Sequence, residues 1–155
     1  LPAAQIAQTC KLLEAPVYLL GGEADRETGE TIAQQIAHVT SLCGTGSIAE
    51  SAYWAEHAVA VITHDTGMMH IAAALSRPVI SIWGNTIPKF GMVPFFPDTY
   101  QGRSQIFEVK NLSCRPCSKI GYAQCPKGHF KCMQQQDVQA IVAFSNQILS
   151  ENSIN

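Results

Sequence analysis

Charge is scarce in this chain and neither sign prevails: 10 Lys and Arg stand against 12 Asp and Glu in 155 residues, 14% in all. The aromatics, 8% of the sequence, are not interleaved with basic residues, so the electrostatic footprint of a nucleic-acid binder is missing. No apolar run approaches the roughly 18 residues of a membrane span, and no signal peptide opens the chain. Gly-x-Gly-x-x-Gly is absent, as is Gly-x-x-x-x-Gly-Lys-Ser/Thr, which disfavours a nicotinamide dehydrogenase and a P-loop ATPase. Met does not begin the chain either, and Leu1 in its place reads as an excised or processed fragment. What is abundant is apolar residues, at 46% enough for one domain with a real core.

Those residues come in a repeating order. A helical pattern from Leu1 to Glu14 is stopped by Pro16, and the strand Val17-Tyr-Leu-Leu20 ends in Gly21-Gly22. Asp25 to His38 reads as helix despite Gly29, and Val39-Thr-Ser-Leu42 as a weaker strand. Ser47-x-x-Glu50 forms a capping box for a helix to about His57. A strand from Ala58 and a helix from Gly67 follow, then the strand Val79-Ile-Ser-Ile-Trp83. Asn85 to Tyr100 is a loop, Ile106–Val109 a last strand, and Asp137 to Leu149 a final helix with a frayed polar tail, Ser150 to Asn155. Continuous apolar strands alternating with helices predict an α/β class and a Rossmann-like, three-layer parallel sheet covered on both faces.

The Gly-bearing turns Gly21-Gly22, Gly44-Thr45-Gly46, Asp65-Thr66-Gly67 and Gly84-Asn85-Thr86 all fall at strand carboxyl ends, the edge where open parallel sheets bind ligands. Of these, Ile62-Thr-His-Asp65-Thr66-Gly67-Met-Met-His70 is the most informative. A strand passes through a tight Gly turn into a helix N-terminus, which collects free N–H groups and the positive end of the helix dipole. Asp-Thr-Gly also marks aspartic proteases, but those need two copies in an all-β setting, and this chain has one in an α/β setting. A carboxylate beside an anion seat makes sense if Asp65 bonds sugar hydroxyls while the neighbouring N–H groups hold pyrophosphate. A nucleotide sugar satisfies both, with His70, one turn on, donating to phosphate or satisfying a carbonyl.

The run Ile62-Thr-His-Asp65-Thr66-Gly67-Met-Met-His70-Ile-Ala-Ala-Ala-Leu-Ser-Arg-Pro78-Val-Ile-Ser-Ile-Trp-Gly84-Asn-Thr86-x-Pro88 resembles the donor-site signature of glycosyltransferase family 9, the ADP-heptose:lipopolysaccharide heptosyltransferases of GT-B fold. The resemblance extends from about Val17 to Val142 and implies that residues 1–155 form a single nucleotide-sugar (ADP-heptose-like) donor-binding domain, the C-terminal half of a GT-B enzyme. It further implies that Asp65, Thr66, Gly67 and His70 contact the donor, with Gly46 and Ser47 near the adenosine and Gly22 and Glu23 near its ribose. The acceptor domain and its catalytic carboxylate are missing, so no catalytic residue is expected in this chain. The opening strand of the donor domain, central in the order 3-2-1-4-5-6, would precede Leu1. For the parent enzyme the resemblance implies a cytoplasmic setting, at the inner face of the bacterial inner membrane, and transfer of heptose to a sugar hydroxyl with inversion. No metal or cofactor is required by that chemistry.

Cys10 and Cys43 lie in apolar surroundings and read as small core residues. Cys114, Cys117, Cys125 and Cys132, in the Cys-rich segment 111–133, resemble a segment found in part of the family. Their spacing leaves three states open: a structural zinc site, free thiols or disulfides. Lys110, Arg115, Lys119, Lys127 and Lys131 surround them and read as a solvated face, with peripheral contact to an anionic acceptor or membrane surface as the alternative. Two other readings compete with the donor-binding one: a zinc-stabilised Rossmann-like module without transferase activity, and another nucleotide-sugar enzyme such as an epimerase.

Overall fold

Pro2, extended at φ −60°, starts the first helix, α1 (Ala3–Leu12), which ends before Pro16. The computed structural model describes residues 1–152. Strand β1 (Val17–Leu19) leads through a 3-10 turn, Glu23–Asp25, into α2 (Arg26–Gln35), and β2 (Val39–Ser41) follows. The expected capping box opens α3 (Ile48–His57): Ser47 Oγ accepts from the Glu50 N–H at 3.2 Å, and the Ser47 N–H donates to Glu50 Oε2 at 2.6 Å. Strand β3 (Val61–His64), helix α4 (Gly67–Ala74), strand β4 (Val79–Trp83) and strand β5 (Gln105–Glu108) come next, then the short α5 (Lys131–Gln134) and α6 (Val138–Asn152).

All strand pairs are parallel. β1 pairs with β2, Val17 opposite Val39; β3 pairs with β4, Val61 opposite Val79; and β4 pairs with β5, Ile80 opposite Gln105. β4 is buried at all five positions because it is covered on both faces. Met69, Ala72 and Ala73 of α4 pack with Val79 and Trp83 on one face. Cys132 and Met133 of α5 and Ile141 and Ile148 of α6 pack with Ile80 and Ile82 on the other. This is the three-layer α/β sandwich expected from the strand–helix alternation. Cys10, Ile32 and Val39 make a further cluster where α1, α2 and β2 meet, so Cys10 is a core residue as expected, and Cys43 is buried too.

The strands form two ladders, β1–β2 and β3–β4–β5, and among the described residues none joins β1 to β3. β3 has the composition of a fully buried strand, yet all four of its residues are only half-buried. β1 likewise leaves Tyr18 exposed.

Two local expectations need correction. The frayed tail does not begin at Ser150. α6 runs on through Asn152, whose Nδ2 donates to the Ile148 carbonyl at 2.8 Å, and Glu151 pairs with Arg103. Residues 153–155 of the expected tail lie outside the described residues. The helix expected over Asp25 to His38 is shorter, running Arg26–Gln35. Gly29 within it is buried, and a Cβ there would lie 2.5 Å from Ser41 Oγ and 2.9 Å from Cys43 Sγ, so its missing side chain lets the helix pack closely on the chain leaving β2.

Candidate functional site

β3 ends at His64, the chain turns through Asp65 and Thr66, and α4 begins at Gly67. Thr66 takes the extended N-cap conformation, φ −143° and ψ 170°, but its hydroxyl makes no cap bond and instead lies 3.2 Å from the Thr63 hydroxyl. The first-turn N–H groups of α4 therefore have no side-chain cap at the positive end of the helix dipole. A Cβ on Gly67 would meet nothing within 4 Å, so the space above this helix start is open. His70, one turn further, is exposed.

Asp65 is fixed from the neighbouring strand. Thr86, in the turn after β4, is 5% exposed and donates from Oγ1 to Asp65 Oδ2 at 2.7 Å. The Thr86 carbonyl accepts in turn from Arg115 Nη2 at 2.8 Å. Arg115 also donates to the Val109 carbonyl at 2.6 Å and to Glu108 Oε2 at 3.1 Å. Its side chain is only 5% exposed, so the expectation of a solvated basic face fails at this residue. Position 115 carries an internal cation, whereas Lys110, Lys119, Lys127 and Lys131 are exposed as expected. The preceding turn residue, Asn85, accepts from the Cys117 N–H at 2.9 Å and donates to the Tyr122 carbonyl at 2.7 Å. The Cys-rich segment thus packs onto the turn that carries Thr86.

The other four expected site residues form a second group at the carboxyl ends of β1 and β2. The Gly22 N–H is taken by Asp25 Oδ2 at 2.9 Å, and Glu23 pairs with Arg26 at 2.7 Å. Gly44 N–H donates to the Gly21 carbonyl at 2.9 Å, which brings the two turns together. Ser47 is occupied as the α3 cap, leaving Gly46 exposed in the turn before it. Burial lowers the His64 pKa to about 4, and the nearby Asp25, which favours the protonated form, does not offset it.

Thr86, Arg115, Glu108 and His64 were not singled out as site residues from sequence. Thr86 did carry a signal, since it closes one of the four Gly-bearing strand ends. Nothing local marks Arg115, whose contacts at Thr86 lie 29 positions away.

The six cysteines are all free. Burial first, then the neighbouring thiols, raise the pKa of Cys117 and Cys132. Cys125 differs. The N–H of Phe130 reaches its sulfur at 3.4 Å and, with those of Lys127, His129 and Gly128, lowers its pKa. Among the described residues no three His, Cys, Asp or Glu side chains are grouped so as to hold a metal ion.

Parallel strands with helices on both faces define a Rossmann-like α/β protein, with an uncapped helix start at the strand carboxyl ends. Residues 4–127 match glycosyltransferase family 9 (heptosyltransferase), and the chain belongs to that family. It is 35% identical over 79 residues to lipooligosaccharide heptosyltransferase 2 of Haemophilus influenzae, an overlap of 48% of this chain and 23% of that protein. It is 34% identical over 99 residues to lipopolysaccharide heptosyltransferase 1 of Pseudomonas aeruginosa, an overlap of 64% and 26%. The fold matches two solved structures at a TM-score of 0.71. One is a family 9 glycosyl transferase from Veillonella parvula, with 20% identity, 97% of this chain and 42% of that chain. The other is the ADP-heptose lps heptosyltransferase II of Escherichia coli, with 22% identity, 98% and 42%. The two ladders and their helices are therefore part of a GT-B architecture. The chain spans about a quarter of the curated relatives named here and under half of these structures.

Proposed function

We propose that this chain is the donor-binding unit of a heptosyltransferase-like glycosyltransferase, one that transfers heptose from ADP-heptose to a sugar hydroxyl of the lipopolysaccharide core. The observation that carries this reading is the pairing of Asp65, held at Oδ2 by Thr86, with the open, uncapped start of α4 beside it. In this role Asp65 accepts hydrogen bonds from sugar hydroxyls. The first-turn N–H groups of α4 hold the pyrophosphate and stabilise the charge that builds on ADP as it leaves. His70 donates to a phosphate oxygen, and the turns bearing Gly22, Glu23, Gly46 and Ser47 lie toward the adenosine. The base that deprotonates the acceptor hydroxyl belongs to another domain of the whole protein, and inversion follows if that base and the leaving ADP act on opposite faces of the sugar.

The unpaired edges of β1 and β3 support a whole protein that supplies a further parallel strand to this sheet. Among the described residues no helix is long and apolar enough to cross a membrane. Contact with the inner face of the bacterial inner membrane therefore rests, in this proposal, on surface groups, with exposed Lys119, Ile120 and Tyr122 the nearest to hand.

Titration calorimetry with ADP and with ADP-heptose tests the reading. The whole protein should bind both, and Asp65→Ala should weaken the sugar nucleotide more than ADP. Equal losses for the two ligands remove the sugar-hydroxyl role, and no affinity for either overturns the reading altogether.

A further inference from the structure

Arg115 is an expensive residue to place where it is. Its guanidinium is almost wholly desolvated, its Nε is buried with no hydrogen-bond partner among the described residues, and its one carboxylate neighbour, Glu108, is a quarter exposed. Buried ion pairs are commonly no more stabilising than a well-packed apolar group of the same size. Stability alone is therefore a poor account of the residue, and its contacts point elsewhere. The planar fork reaches three acceptors in fixed directions: the carbonyls of Val109 and Thr86 and Glu108 Oε2. Glu108 is the last residue of β5 and Val109 follows it, and Thr86 lies in the turn after β4. The hydroxyl of Thr86 holds Asp65, at the end of β3. One cation thus ties three consecutive strand ends of the sheet into a single hydrogen-bonded chain.

We propose that Arg115 is a positioning residue for the donor site: by clamping the Thr86 main chain it keeps the Thr86 hydroxyl on Asp65 Oδ2 and leaves Oδ1 turned to the ligand. This rests on the reading that Asp65 grips the sugar of the donor. A carboxylate bonded at one oxygen has a defined plane, and among the described residues Oδ1 accepts no other hydrogen bond. Its two lone pairs then address sugar hydroxyls without first paying to be oriented. Lysine at position 115 keeps the charge but replaces the fork with a point charge that cannot hold all three acceptors in one plane. The Cys-rich segment acquires a role by the same route, since it delivers Arg115 and also packs against Asn85 next to Thr86.

The test is calorimetry on the whole protein with ADP-heptose and ADP, using Arg115→Lys, Thr86→Val, Asp65→Asn and the double variant Arg115→Lys/Asp65→Asn. The expected result is that Arg115→Lys weakens ADP-heptose about tenfold, or ~1.4 kcal/mol, while ADP changes less than about twofold. In the Asp65→Asn background the same substitution should cost almost nothing more, because a residue acting through Asp65 loses its effect when Asp65 is gone. A purely structural role would weaken both ligands alike and add in full to Asp65→Asn; that result overturns the proposal while leaving the donor-binding reading standing. If Arg115→Lys does not fold, Thr86→Val decides with Arg115 intact: the same selective loss supports the chain of contacts, and an unchanged affinity overturns it. Wild-type protein that binds neither ligand overturns the donor-binding reading and this inference with it.

Discussion

Gln136 donates to the carbonyl of Trp83, the last residue of β4, at 2.9 Å, and the same Nε2 reaches the Cys132 carbonyl at 2.8 Å. Both bonds are buried, and the pair fastens α5 to the strand end that carries Gly84, Asn85 and Thr86. The site side of the sheet is thus held by the helix that closes the Cys-rich segment. Gln136→Leu would strip a donor from two buried carbonyls. It should destabilise the protein by about 2–4 kcal/mol in urea unfolding. A loss under about 0.5 kcal/mol would show that water replaces the amide there.

Gly67 separates fold from function. Its Cβ would project into open space, and the residue opens a helix, so Gly67→Ala should leave stability within about 1 kcal/mol of wild type or raise it. That same space is where the donor phosphates are proposed to sit. ADP affinity should fall at least about tenfold while the thermal midpoint holds. Unchanged ADP affinity would move the ligand away from the α4 start.

Gly29 is the opposite case. Alanine there gains helix propensity, but its methyl would be forced against Ser41 and Cys43. Overpacking should prevail, with a net loss of about 1–3 kcal/mol measured by denaturant midpoint.

His64 makes stability depend on pH. Its folded pKa of about 4 lies below the ordinary 6.5, chiefly because burial disfavours the imidazolium. The unfolded chain takes up this proton first, so the contribution is complete above pH 6.5 and is lost as pH falls from 6.5 toward 4. The loss should be about 3 kcal/mol, and His64→Gln should flatten that part of the stability profile. A profile of His64→Gln that keeps the wild-type slope between those limits would assign it to other groups.

Cys125 should be more reactive than Cys117 and Cys132. Its pKa is lowered by backbone N–H groups, while burial raises those of Cys117 and Cys132. With iodoacetamide at pH 7.5, mass spectrometry of early time points should find Cys125 modified several-fold ahead of those two. Equal labelling would mean that the N–H contacts of the 125–130 turn do not persist in solution.

Every strand and most of the helices were legible from the chain because their signals are local. Pro2 and Pro16 bracket α1, Ser47 and Glu50 cap α3, and the apolar runs at Val61 and Val79 form β3 and β4. The Asp65-Thr66-Gly67 junction was legible for the same reason: a strand, a Gly turn and a helix start are dictated by neighbours along the sequence. The short α5 was not foreseen, since four residues cannot show a period.

Sequence by itself therefore determined the α/β class, the strand ends on which the Gly-bearing turns lie, and the residue types presented there. Tertiary structure alone decided how those residues are held. Asp65 and Thr86 are 21 positions apart and Thr86 and Arg115 are 29 apart, and only the parallel register of β3, β4 and β5 brings their ends side by side. An arginine that read as one of five surface cations became an internal clamp for the same reason: burial is a property of what packs over a side chain, and local sequence does not encode it.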